Sequence, residues 1–139
     1  MQQILFVCVE NSCRSQMAEG FGKLLGEGVV EVHSSGSRPC GRVNEKAVAS
    51  MKEIGYDLTL HASKSLAEIP QIQYDFAITM GCGDECPHVQ AKKREDWEIP
   101  DPKYMEMDRF NQIRDLIEKK VIDLIEILRP SEKPIEERR

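Results

Sequence analysis

The segment Cys8-Val9-Glu10-Asn11-Ser12-Cys13-Arg14-Ser15 sets a thiol and a guanidinium with five residues between them, directly behind the apolar run Ile4–Val7. A helical-looking stretch, Gln16 to Leu25, follows it. A loop between a buried strand and a helix start turns its backbone N–H groups inward, and the helix dipole adds partial positive charge at the same place. Such a loop suits a tetrahedral oxyanion. Arg14 can grip two anion oxygens with its planar fork. Cys8, at the strand end, faces that electropositive pocket, which should stabilise its thiolate and make it a nucleophile near neutral pH. The plainer alternative is a buried structural cysteine beside a surface arginine, and the strand-before, helix-after context favours the loop.

The elements that would position these groups alternate between strand and helix. Ile4 to Val9 is continuously apolar, as in a strand covered on both faces. The helix Gln16 to Leu25 carries Met17, Phe21, Leu24 and Leu25 at helical spacing and ends at Gly26/Gly28. Val29–His33 alternates like a second strand, closed by Ser34-Ser35-Gly36, and a loop through Arg38-Pro39-Cys40-Gly41-Arg42 follows. Asn44 is placed to cap a helix through Glu45, Ala47, Val48, Met51 and Ile54 that stops at Gly55. Ser63 to Glu68 reads as a short helical turn and Tyr74–Met80 as another buried strand. Gly81 to Asp101 reads as a long loop with at most one helical turn, a length uncommon unless functional. Met107 to Arg129 closes the domain as a helix with Phe110, Ile113, Ile117, Val121, Leu124 and Leu128 on one face. Residues 130–139 form a charged tail expected to be disordered, leaving one domain over 1–129. The alternation predicts an open α/β sheet whose ligand site lies at the carboxyl ends of the strands, with Cys8 and Cys82 opening onto the same edge.

Composition narrows the function classes. The chain has 139 residues, enough for one core, and a net charge of −5 from 19 basic and 24 acidic residues. There is no general basic surface for nucleic acid, so an anionic substrate must be drawn in by local fields. No apolar run approaches the roughly 20 residues of a membrane helix, and no basic-then-apolar leader is seen. A cytoplasmic monomer is expected. Five cysteines is an odd number, which in a reducing compartment points to catalytic, metal-binding or redox roles more than to a disulfide framework.

The Cys8-x5-Arg14-Ser15 loop with Asn11 inside it resembles the low-molecular-weight protein-tyrosine-phosphatase superfamily, and the string Asn11 to Glu19 resembles its arsenate reductase branch. Val43-Asn44, Met51–Gly55, Ile78–Met80, Cys86-Pro87, Asp96-Trp97 and Asp101-Pro102 extend the likeness from residue 2 to about 129. The resemblance implies a four-stranded parallel sheet flanked by helices. It also implies Cys8 as nucleophile, Arg14 as oxyanion clamp, and Val9, Glu10, Asn11, Ser12, Cys13 and Ser15 as the binding loop. Within that loop Asn11 and Ser15 would hold the loop and the thiolate. Asp101 would be the general acid; from its residues alone, an aspartate before proline in a charged loop is equally turn chemistry.

Electron counting separates the two activities within the superfamily. A phosphatase needs one thiolate, whereas reducing As(V) to As(III) takes the two electrons that two thiols release on forming a disulfide. Cys82 and Cys86, in Gly81-Cys82-Gly83-Asp84-Glu85-Cys86-Pro87, supply the further thiols of a relay from Cys8 outward. The resulting expectation is an arsenate reductase with phosphate and sulfate as competing oxyanions. It would hold no tightly bound cofactor, and an external thiol reductant, thioredoxin or a glutathione/glutaredoxin-type system, would regenerate it. A low-molecular-weight aryl phosphatase is the second reading, although Gln16 follows Ser15 and only Tyr104 lies just past Asp101-Pro102. The non-enzymatic reading is a thiol or zinc sensor on Cys82, Cys86 and His88, against which His33, His61 and Cys40 are scattered. Cys13 reads as a small buried residue or as a partner for a protective disulfide with Cys8, and Cys40 as a bystander. Some relatives carry an aspartate at the position of Lys64, in a potassium site with Asn11, Glu19 and Ser34. A lysine ammonium would repel or replace that cation, so no metal site is expected.

Overall fold

The computed structural model describes residues 1–81 and 89–129. Strands β1 (Gln2–Cys8), β2 (Val30–Gly36), β3 (Tyr74–Thr79) and β4 (Ala91–Asp96) form one parallel sheet in the order β2-β1-β3-β4. Helices α1 (Arg14–Leu25), α2 (Glu45–Glu53) and α3 (Met107–Leu128) complete the fold, with 3-10 turns at Leu58–Leu60 and Leu66–Glu68. The implied fold, an open four-stranded parallel sheet flanked by helices, is the one observed.

β1 is central and its residues Ile4 to Cys8 are all buried, which is why it reads as an unbroken apolar run. One side of the sheet, with Ile4, Phe6, Val32 and Ile78, packs on Met17 and Phe21 of α1, Met51 of α2 and Phe110, Ile117 and Val121 of α3. On the other side Leu5, Val7 and Ala77 are covered by Leu66 and Ile69. α2 starts where the sequence indicates, because the Asn44 side chain accepts hydrogen bonds from the N–H groups of Lys46 and Ala47. Among the described residues no helix is long and apolar enough to cross a membrane.

Four of the boundaries that differ from the sequence reading bear on the site. β1 stops at Cys8 rather than Val9, α1 begins at Arg14 rather than Gln16, and β2 runs on through Gly36. The fourth is the largest correction. Gly81 to Asp101 is not one long loop, because Ala91–Asp96 forms the edge strand β4. Its sequence Ala-Lys-Lys-Arg-Glu-Asp has one buried residue, so it lacks the apolar pattern by which strands are recognised. Charged edges of this kind also discourage unwanted strand pairing. The expectations for Cys82, Cys86, His88 and the tail 130–139 lie outside the described residues.

Candidate active site

The anion loop is held from outside by its carbonyls. Val9 O accepts from Arg38 N–H at 2.8 Å, Glu10 O from Cys40 N–H at 3.1 Å and Ser63 Oγ at 3.0 Å, and Ser12 O from Asn44 N–H at 2.9 Å. Asn11 O accepts from Gln16 Nε2 at 3.1 Å. In a trans peptide the carbonyl and the following N–H point opposite ways. The N–H groups of Glu10, Asn11, Ser12 and Cys13 therefore turn toward the loop's centre. The N–H of Asn11 does so onto Cys8 Sγ, at 3.2 Å. α1 begins at this point with no side-chain cap and no acidic residue in its first turn, so its positive end is left for an anion.

Two glycines let the chain close around the loop. A Cβ on Gly36 would lie 2.5 Å from Val9 O and 2.9 Å from Asn11 N, both backbone atoms that cannot yield. Gly81, with φ +85°, turns the chain after β3 beside Arg14. Arg14, 8% exposed, donates from Nη1 to Met80 O at 2.5 Å and to Ile99 O at 3.0 Å. These carbonyls follow β3 and β4, so the sheet's carboxyl edge aims the guanidinium. Its Nη2 faces Asp101 Oδ2 at 3.8 Å. Asp101 is half exposed, and its Oδ1 accepts from Lys103 N–H at 3.0 Å.

Asn11 is the hub of the site. It is fully buried at φ 51°, a left-handed conformation that asparagine tolerates better than most residues. Lys64 N–H, a donor that has no alternative role, lies 2.8 Å from the side chain and fixes that atom as Oδ1. The amide nitrogen then faces Ser15 Oγ at 2.8 Å and Ser34 Oγ at 2.9 Å. Ser15 Oγ already accepts there, so its proton points at Cys8 Sγ, 2.9 Å away. Cys8 thus receives a side-chain donor and a backbone donor, an arrangement that favours a sulfur carrying negative charge.

The same logic runs outward. Gln16 Nε2 donates to Asn11 Oδ1 at 2.9 Å, leaving Oε1 to accept from His61 Nδ1 at 2.9 Å. His61 Nε2 then accepts from Tyr56 OH at 2.6 Å, which defines a neutral imidazole protonated at Nδ1. Burial pushes His61 below its ordinary value of 6.5, consistent with that tautomer. Burial alone would raise Glu19, but hydrogen bonds from Lys23 and Ser34, with the charge of Lys64, outweigh it and hold Glu19 low. Lys64 Nζ lies 3.5 Å from Glu19 Oε1, so an ammonium stands beside the carboxylate of the cation site considered from the sequence.

The two thiols of the loop differ in kind. Burial pushes Cys13 up to about 12, although the Ser12 hydroxyl donates to its sulfur from 3.9 Å. Cys40 is exposed in the flanking loop. No group of three or more metal-ligating side chains occurs among the described residues.

The structure brings Cys8, Arg14 and Asp101 together with the loop residues Val9 to Ser15. Gln16, His61, Tyr56, Gly36 and Lys103 also belong to the site, and nothing in the sequence assigned them a part in it. Gln16 had a local signal, standing next to Ser15 at the start of a helix. His61 and Lys103 had none, because their contacts are with residues distant in sequence.

The chain matches the model of the low molecular weight phosphotyrosine protein phosphatase family over residues 3–133. It is 38% identical over 128 residues to a glutaredoxin arsenate reductase of Synechocystis sp., covering 90% of this chain and 97% of that protein. It is 42% identical over 119 residues to an arsenate reductase of Staphylococcus aureus, covering 82% and 88%. A solved arsenate reductase in its phosphate-binding state superposes with a TM-score of 0.83 at 37% identity, over 92% of this chain and 99% of that one. A cysteine held by donors alone, an arginine aimed from the sheet edge and a match over nearly all the described residues lead to one assignment: the chain belongs to the low molecular weight phosphotyrosine protein phosphatase family.

Proposed function

We propose that this protein is an arsenate reductase whose chemistry starts at Cys8. The observation that carries this reading is the position of Cys8 Sγ at the focus of the loop, 3.2 Å from Asn11 N and 2.9 Å from Ser15 Oγ. The identity of 38–42% to arsenate reductases supports the substrate. Arsenate sits in the loop's N–H groups with Arg14 across two of its oxygens. Cys8 attacks arsenic, an As–O bond breaks, and Asp101 donates the proton that lets the oxygen leave as water. The arsenic is still As(V).

Reduction is the second step. A second thiolate, Cys82, attacks Cys8 Sγ; an S–S bond forms, the S–As bond breaks, and its electron pair stays on arsenic as As(III). Arsenite leaves. Cys86 then attacks Cys82, moving the disulfide outward, and an external thiol reductant restores the thiols. Its class is a thiol system, either a glutaredoxin-type or a thioredoxin-type donor, since both a glutaredoxin arsenate reductase and a thioredoxin-dependent one are similar to this chain. The phosphatase reading keeps a role as a side activity, since the loop and Arg14 would serve phosphate equally. Tyr104, the aromatic just past Asp101-Pro102, is 89% exposed and builds no wall for a phenol ring.

The test is arsenate turnover by C8S and C82S proteins, with glutaredoxin plus glutathione or with thioredoxin, alongside aryl phosphate hydrolysis. C8S should lose both activities and C82S only arsenate reduction. Sustained arsenate turnover by C82S would remove the relay.

A further inference from the structure

Glu10 is out of place in an anion loop. Its carboxylate opposes the charge the loop is built to bind, and its carbonyl is pinned by Cys40 N–H and Ser63 Oγ, so its backbone is fixed in the loop. The carboxylate is gripped on both oxygens by Lys103 Nζ, at 2.9 and 3.0 Å, across 93 positions of sequence. Lys103 stands two residues past Asp101, and its own N–H donates to Asp101 Oδ1 at 3.0 Å. One residue therefore touches both the loop and the proton donor. Lys46 Nζ, on α2, reaches Met105 O at 2.8 Å and ties down the same segment. Between these anchors lies a cleft of about 340 Å³ lined by Glu10, Ser12, Cys40, Arg42, Lys46 and Lys103, among others.

We propose that Lys103 is a positioning residue for the reaction: its pairing with Glu10 cancels the carboxylate of the loop and fastens the Asp101 segment over the bound oxyanion. This rests on the roles given above to the loop and to Asp101. It accounts for a feature those roles leave unexplained, an acidic side chain beside a binding site for a dianion. The hydrogen bond to Glu10 also raises the Lys103 ammonium above its ordinary range, so Lys103 keeps its positive charge.

The experiment uses K103M, E10A, K103R and the swap E10K/K103E in the full chain. The first readout is inorganic phosphate binding to each variant in a C8S background, which needs no turnover. The second is the dependence of aryl phosphate hydrolysis on leaving-group basicity, which reports proton donation and not folding. Arsenate KM and kcat are the third. The pair is only partly buried, so effects of about two- to tenfold are expected. K103M should weaken phosphate binding and raise the arsenate KM about fivefold, and should slow poor leaving groups more than good ones. E10A, which loses the clamp without stranding a charge, should bind phosphate at least as well as the parent yet share the leaving-group defect. K103R should stay close to the parent, and the swap should recover most of the leaving-group response. If K103M and E10A both stay within about twofold of the parent in every readout, or if the swap is no better than either single variant, the clamp is refuted. Failure of the parent protein to reduce arsenate would instead refute the functional reading, and phosphate binding and the aryl series would still decide the clamp.

Discussion

Replacing Asn11 tests the polarity assigned to the whole site. Its side chain makes four hydrogen bonds, two as donor to Ser15 and Ser34 and two as acceptor from Gln16 and Lys64 N–H, all buried except the last, which is part-buried. In N11A the Lys64 N–H loses its acceptor, at a cost of about 1–3 kcal/mol, and each serine hydroxyl loses an incoming donor at about 0.5–1 kcal/mol. Gln16 keeps the carbonyls of Asn11 and Ala62 and contributes little. Alanine at φ 51° adds about 1 kcal/mol, because it lacks asparagine's tolerance of the left-handed region. The sum, about 3–6 kcal/mol, is a large share of the roughly 5–15 kcal/mol that holds a domain together. S15A is the companion variant. It leaves Asn11 bonded to Ser34, Gln16 and Lys64, so it should cost only about 1 kcal/mol. It also removes the hydroxyl proton aimed at Cys8 Sγ, a charge-assisted bond worth about 1.5–3 kcal/mol, or roughly tenfold or more in thiolate reactivity. The assay is urea unfolding in phosphate-free buffer, since a bound anion would stabilise the fold. Iodoacetamide alkylation of Cys8 is followed by mass spectrometry in parallel. N11A should lose both stability and reactivity, and S15A reactivity alone. A loss below about 1 kcal/mol in N11A, or wild-type alkylation in S15A, would refute the hydrogen-bond directions on which the site's chemistry rests.

Two other perturbations probe the frame around the loop. G36A places a methyl 2.5 Å from Val9 O and 2.9 Å from Asn11 N, so the loop must move; phosphate should no longer protect Cys8 from alkylation, and full protection would contradict the contact. His61 and His33 are both held below 6.5 by burial, so as pH falls from that value the unfolded chain takes up protons first and stability declines. Glu19, held below 4.5, acts in the same direction at still lower pH. In H61N, whose amide can still donate to Gln16, the drop in urea midpoint between pH 7.5 and 5.5 should be smaller than in wild type; an equal drop would remove His61 from the pH response.

How much of this was legible depended on whether a residue's neighbours were also its neighbours in sequence. Cys8, Asn11, Arg14 and Ser15 lie in one loop, and strand-before, helix-after context was enough to place them. Asn44 was readable for the same reason, since a cap acts on the next three residues. β4 was not, because an edge strand of Lys93, Arg94, Glu95 and Asp96 owes its conformation to pairing with β3 rather than to its own pattern. Asp101 needed the family likeness; its residues alone allowed a turn, and the structure shows it in a turn and beside Arg14 at once. His61 and Lys103 reach the loop across 45 and 93 positions. At such separations only the packed fold reveals a partner.

The contrast between Cys8 and Cys13 carries the argument from geometry to redox chemistry. Both sit in the same loop, yet donors converge on Cys8, whereas burial holds Cys13 at about 12, a thiol at any working pH. Cys13 is therefore poorly suited to supply the thiolate that must attack Cys8 once arsenic is bound. Cys40 is exposed, and its Sγ is turned back onto Arg42 O at 3.1 Å, away from the loop's interior. Two electrons must still come from a second sulfur, and of the five cysteines only Cys82 and Cys86 remain. Cys82 stands between two glycines in a segment that begins at Gly81, the residue packed beside Arg14. Within the proposed arsenate reduction, the electron requirement and the surroundings of Cys13 and Cys40 thus leave Cys82 and Cys86 as the expected partners of Cys8.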